Sequence, residues 1–125
     1  MKKIMLFSLS ILLFSSFISA DQDNTKEKAN INSTLDAWHK AASEANYNAY
    51  FSLMTEDAIF IGTDATENWN KKDFQAYAKP HFDKGKAWSF TALDRHIYFD
   101  KTGKTAWFDE LLNTQMKICR GSGVL

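Results

Sequence analysis

His96, Asp94 and Asp109 are the side chains of this sequence best suited to moving a proton. Imidazole changes charge nearest physiological pH, which fits it for general acid–base work. Asp94 stands two positions before His96 and, in an extended segment, on the same side. Asp109 falls on what reads as the neighbouring strand, where it could orient the imidazole or serve as the acid. Trp88, Phe90 and Tyr98 share the face of His96 if the alternation is unbroken. A carboxylate–histidine pair inside such an aromatic wall would suit proton shuffling on a small ligand. The competing assignment is a histidine hydrogen-bonded on a partner-facing side of a sheet, and only geometry separates the two.

Other groups offer binding rather than chemistry. Asp64 and Glu67 flank a turn beside Trp69, where they could hold a polar head group, although an Asp after Gly-Thr also satisfies its own turn. Arg120 on the last strand could anchor an acidic ligand or pair across strands with Asp109 or Glu110. Tyr47, Tyr50, Phe60, Phe74, Phe82, Trp88 and Phe90 could line an apolar cavity, or could be ordinary core. His39, His81 and His96 lie on separate elements with one cysteine, Cys119, and show no metal-ligand spacing. No nucleophile elbow, phosphate loop or redox cysteine pair is present in the sequence. No metal and no cofactor is therefore expected.

These residues must be positioned by a mixed set of elements. Ile31, Leu35, Trp38, Ala42 and Ala45 recur at helical steps, with Asn46 as a stop and Tyr47, Tyr50, Phe51 and Met54 on a second helical turn. Ala58 to Ile61 reads as a short strand closed by Gly62-Thr63-Asp64. Asn70 can cap a third helix with Asp73 in capping-box position, and Pro80 should kink it near Ala78. From Trp88 to Phe99 the period becomes two, then Asp100 to Gly103 marks a hairpin. Thr105 to Leu112 returns, and Ile118 to Leu125 starts another strand. Helices followed by an antiparallel meander make an α+β domain. Trp38 and Trp107, each on the apolar side of its element, are expected to be buried.

The first 20 residues stand outside this scheme. Lys2 and Lys3, the apolar run Ile4 to Phe14 and a small-residue end at Ala20 have the layout of a cleavable signal, too short for an easy bilayer span. Export to the periplasm or beyond follows, with cleavage after Ala20. Residues 21–30 read as a flexible leader and 31–125 as one domain. Cleavage removes two lysines and no acid, so a balanced chain of 15 basic and 15 acidic residues becomes a mature one of net charge −2. That charge gives no footprint for nucleic acid.

The combination Gly62-Thr63-Asp64, Glu67 and Trp69, with Arg95-His96-Ile97, Ala106 to Leu111 and Cys119 to Leu125, resembles the SnoaL-like branch of the nuclear transport factor 2-like superfamily. The resemblance runs from Leu35 to Leu125. It implies a cone-shaped curved antiparallel sheet wrapped around three N-terminal helices, with a pocket between them. It also implies one more turn and strand than the chain carries, so the last strand of the fold is expected to be missing. Relatives include isomerases, dehydratases and cyclases as well as binding modules, so fold does not select function. The expected function is an exported small-ligand-binding or assembly module, dimeric through the open sheet face. Its ligand would be a small apolar or amphipathic molecule held by residues drawn from Tyr50, Phe60, Asp64, Trp69, Phe74, Trp88, Phe90, His96 and Arg120. The alternative is a pocket enzyme of the isomerase or dehydratase type using His96 with Asp109 or Asp94.

Overall fold

The computed structural model describes the backbone of residues 20–125 and side chains from Asn24 onward. The expected signal segment thus lies, but for Ala20, outside the described residues. Helix α1 runs Ala20–Ser43. It begins well before Ile31, so residues 21–30 are helical where a leader was expected. Lys26, Glu27, Lys28 and Ala29 are good helix formers, and neither Gly nor Pro interrupts them. The end of α1 closes with Asn46 N–H donating to Ala41 O at 2.8 Å and Ala45 N–H to Ala42 O at 3.1 Å. This is a Schellman ending with Ala45 in the left-handed region at φ 53°. Asn46 then caps α2 (Tyr47–Ser52), its side chain accepting from Ala49 N–H.

Strands β1 (Ile59–Ile61) and β2 (Asn68–Asn70) form a small antiparallel pair of their own. The second of these was not evident in the sequence, because Asn70 is also the N-cap of α3 (Lys71–Asp83). α3 runs through Pro80 to its end. The larger sheet has the order β3 (Thr91–Phe99), β4 (Ala106–Asn113), β5 (Ile118–Val124), all antiparallel. Two apolar clusters fill the interior. Tyr50, Phe51, Phe74, Ala78 and Phe82 join the helices, whereas Leu35, Ile97 and Phe108 seat α1 on the sheet.

The alternation along β3 is broken. The register slips between Ala92 and Asp94, leaving Leu93 as the extra residue of a bulge. Trp88 packs against the helical core and Phe90 against His39. Beyond the bulge, His96 pairs with Asp109 and Tyr98 with Trp107 on the opposite face. A single unbroken face from Trp88 to Tyr98 is therefore not what forms. The inner face of β3 beyond the bulge carries Arg95 and Ile97 instead. Trp107, expected to be buried, is 43 % exposed and stacks on Tyr98 at 5.9 Å. It occupies the odd-numbered, outer side of β4, whose even positions Ala106, Phe108, Glu110 and Leu112 are the buried ones. Trp38 packs against the core and stacks on Tyr50 at 4.8 Å.

Two glycines make β5 thin on its inner side. A Cβ on Gly123 would lie 2.7 Å from the Phe108 ring, and one on Gly121 would lie 3.3 Å from the Glu110 carboxylate. Gly123→Ala should therefore destabilise the fold by about 1–3 kcal/mol through overpacking. The outward Ser122→Ala should stay within about 0.5 kcal/mol of wild type. Urea unfolding of both variants checks this, and equal midpoints would show that the ring is free to move away.

Candidate functional site

The side chains named from the sequence divide among five places. His96, Asp94, Asp109 and Arg120 meet on the outer face of the large sheet. His96 Nδ1 lies 3.5 Å from Asp109 Oδ1 and Nε2 lies 3.6 Å from Asp94 Oδ2. Arg120 Nη1 donates to Asp109 Oδ1 at 2.7 Å. The imidazole is 54 % exposed, and none of these residues lines either of the two main cavities. The pairing expected of His96 and Asp109 forms, but with neither a cavity nor an aromatic enclosure around it. Exposed pairs of this kind contribute about 0.2–1 kcal/mol.

Asp64 and Glu67 build the turn between β1 and β2. Asp64 Oδ1 accepts from Thr66 N–H at 2.9 Å and from its hydroxyl at 2.6 Å. These two bonds hold the carboxyl below its ordinary range. Glu67 Oε2 accepts from Asp64 N–H at 3.2 Å, and Gly62 N–H donates to Glu67 O at 2.9 Å. A Cβ at Gly62 would sit 1.9 Å from Glu67 Oε2. The Gly-Thr-Asp-x-x-Glu spacing is thus a clasp in which glycine leaves room for the folded-back carboxylate. Trp69 packs edge-on against Tyr77 and Phe74.

Of the aromatics named as binding candidates, Tyr50 and Phe74 are each 1 % exposed and Trp88 packs on both. They are core, not cavity wall. Burial pushes the Tyr50 hydroxyl far up, against the opposing pull of its hydrogen bond with Trp88. Phe60 does line a cavity. That cavity, of about 270 Å³, lies between α1, the α2–β1 segment, β4 and β5, and its wall includes Leu35, Trp38, Met54, Phe60, Ile61 and Phe108. Phe90 lines a second hollow, a groove of about 400 Å³ between α1 and the start of β3, with Asp36, His39, Lys40, Ser43 and Ser89.

One cluster escaped the sequence reading. Glu110 is 1 % exposed and lies on the inner face of β4 between Phe108 and Leu112. His39 Nε2 meets its Oε1 at 2.8 Å, and Arg95 Nε donates to its Oε2 at 2.8 Å. Arg95 Nη1 in turn donates to Asp36 Oδ1 at 2.9 Å and to Asn32 O and Oδ1 at 3.2 and 3.1 Å. Burial alone would raise the Glu110 carboxyl, but the hydrogen bonds from His39 and Arg95 outweigh it and hold the group below its ordinary value. A signal for this was present in the sequence. Asn32, Asp36 and His39 recur at helical spacing beside the Ile31–Leu35 seam, and Glu110 is flanked by apolar residues at period two.

The sequence profile of the SnoaL-like domain family matches residues 31–125 of this chain. Comparison with curated protein sequences gives no match. Among solved structures, the helical cell shape determining protein Pgp2 from Campylobacter jejuni is similar at TM-score 0.52 and 16 % identity. The likeness covers 74 % of this chain but only 32 % of Pgp2, so the chain spans about a third of that protein. A candidate polyketide cyclase of Pseudomonas putida aligns at TM-score 0.49 and 15 % identity, over 73 % of this chain and 77 % of that one. At such identities the Pgp2 likeness is one of fold.

Glu110 links this site to pH. A depressed carboxyl contributes stability that is fully present above its ordinary value of 4.5 and is lost as pH falls through the lower folded value. Wild-type unfolding free energy should thus be flat near neutral pH and fall steeply below about pH 4.5. Glu110→Gln should be less stable at pH 7 and lose a part of that acid slope. Urea titrations from pH 3 to 7 measure this, and identical slopes in both proteins would exclude Glu110 as a source.

Proposed function

The chain belongs to the SnoaL-like domain family, and on that premise we propose that it is an exported protein that holds a small, uncharged, largely apolar molecule in the cavity between α1, β4 and β5. One observation carries the proposal: no Asp, Glu, Lys, Arg or His is among the residues that line this hollow of about 270 Å³. Removing an ionised group from water into such a wall costs several kcal/mol, whereas apolar surface gains about 25 cal/mol per Å² buried. Thr34 and Thr55 supply the few side-chain hydroxyls at the wall that can orient a ligand.

The floor of the cavity is rigid by construction. Phe108 is pressed against Gly123, and Leu35 packs on Phe108 from the helix side. The rim formed by Met54 and Thr55 is tied down by Lys71, whose ammonium donates to Met54 O at 2.8 Å and to Glu56 Oε1 at 2.7 Å. A hollow held open in this way loses little freedom when filled, which favours binding. The outer face of the sheet has a different use. Leu93, Tyr98, Trp107, Ile118 and Val124 are all exposed there, and a second copy of the chain laid on this face would cover them.

A neutral aromatic probe tests the cavity. 1-Aminoanthracene should bind wild-type protein saturably with a blue-shifted, enhanced emission. Thr34→Trp, which fills the hollow from the α1 side, should weaken that binding about tenfold or more while leaving the circular dichroism spectrum unchanged. Absence of saturable binding, or binding untouched by the substitution, would remove the cavity from the function.

A further inference from the structure

We propose that the outer face of the large sheet is a proton-gated contact between two copies of the chain, one that tightens as pH falls. This rests on the reading that a second copy covers the face, and adds how the copies meet and what controls the contact. Directly opposed residues of β3, β4 and β5 share a side, so the strand register sets the face out in rows. One row holds Asp94, Leu111 and Arg120, and the next holds His96, Asp109 and Ser122. Tyr98, Trp107 and Val124 form the row beyond. Negative charge in these rows therefore lies on β3 and β4, and positive charge lies on β5.

That layout is complementary to itself. Facing sheets pack with their strands within about 30° of each other, and a twofold contact uses the same patch on both chains. A twofold axis along β4 lays β3 of one copy over β5 of the other, row on row. Asp94 then meets Arg120 of the partner subunit at two symmetric places, and Tyr98 meets Val124 of the partner subunit. An axis across the strands at the level of Asp109 would instead press Asp94 onto Tyr98 of the partner subunit. One contact on the favoured axis is repulsive. Asp109 lies on β4 itself, so it faces Asp109 of the partner subunit.

That repulsion is where a proton acts. The His96 ring meets Asp94 on its own strand, Asp109 on β4 and, through Asp109, Arg120 on β5. Tyr98 stacks on it at 6.4 Å. With a neutral imidazole each face carries two carboxylates against one guanidinium. Bringing two such faces together and removing their water is costly. An imidazolium balances each face and gives Asp109 a second cation beside Arg120. Imidazole is the side chain whose charge changes nearest physiological pH. The contact is therefore favoured while the rings are protonated and weakens as rising pH removes those protons.

Sedimentation equilibrium at about pH 5.5 and about pH 8 spans the imidazole range and tests the gate. The wild-type dimer dissociation constant should rise about tenfold or more between the two, since two imidazoles per dimer release protons. His96→Gln, neutral throughout, should be as weak at the lower pH as wild type is at the higher one. Asp109→Asn, which removes the like-charge contact, should stay tight at both. A pair with only a structural role would weaken alike in the two variants. Asp94→Arg sets two guanidinium groups against each other and should leave monomer at both pH values, with an unchanged circular dichroism spectrum. Wild-type monomer at both pH values would overturn this inference and the second-copy reading together. A dimer that ignores pH, or tightens as pH rises, would overturn the gate and leave that reading standing. Undiminished association of Asp94→Arg would overturn the arrangement along β4.

Discussion

Burying a carboxylate costs several kcal/mol unless its oxygens are met by charged or strongly polar donors, and Glu110 lies almost wholly out of water. Both of its oxygens are met, one by a helix residue, His39, and one by a strand residue, Arg95. That requirement fixes how α1 lies on the sheet. Arg95 must also reach Asn32 and Asp36 on α1, so the helix cannot slide or roll without exposing a buried charge. Such a constraint is directional in a way that the Leu35, Ile97 and Phe108 contacts beside it are not. The neighbouring strand conforms to the same demand, since Gly121 leaves room over the carboxylate that any Cβ would narrow.

From this lock the division of the molecule follows. Even positions of β4 face the helices, and odd ones face away. The bulge at Leu93 sets Arg95 to the inside and His96 to the outside. Two carboxylate–histidine pairs result, on opposite faces of one sheet. The inner one is buried and bound to Arg95; the outer one is wet and bordered by the stacked Tyr98 and Trp107. The apolar cavity and the polar groove likewise lie on different sides of α1, one walled by Leu35 and Trp38, the other by Asp36 and His39.

The elements were largely legible in the sequence because each obeys a local rule. Helical spacing marks α1, Asn46 marks a stop and Asn70 a cap, and period-two runs mark β4 and β5. The Gly62 to Trp69 motif and the Cys119 to Leu125 run pointed to the SnoaL-like fold. What local rules could not give was the phase of β3. One extra residue at Leu93 reverses every side chain after it, and nothing in the composition of Ala92-Leu93-Asp94 marks the slip. The site suffered most from that error, since His96 and Asp109 do meet, but on the outer side. The inner cluster joins residues 71 positions apart in the chain, a separation at which spacing carries no information. Tyr50 and Phe74 went to the core for the opposite reason, because apolar bulk alone does not distinguish a packed ring from a cavity wall.

A double-mutant cycle on His39 and Glu110 addresses the central claim most directly. Unfolding free energies of wild type, His39→Ala, Glu110→Ala and the double variant at pH 7 give the coupling between the two side chains. If their contact locks α1 to the sheet, the double variant should be more stable than the sum of the single losses implies, by about 1–3 kcal/mol. Losses that add to within about 0.5 kcal/mol would contradict the account.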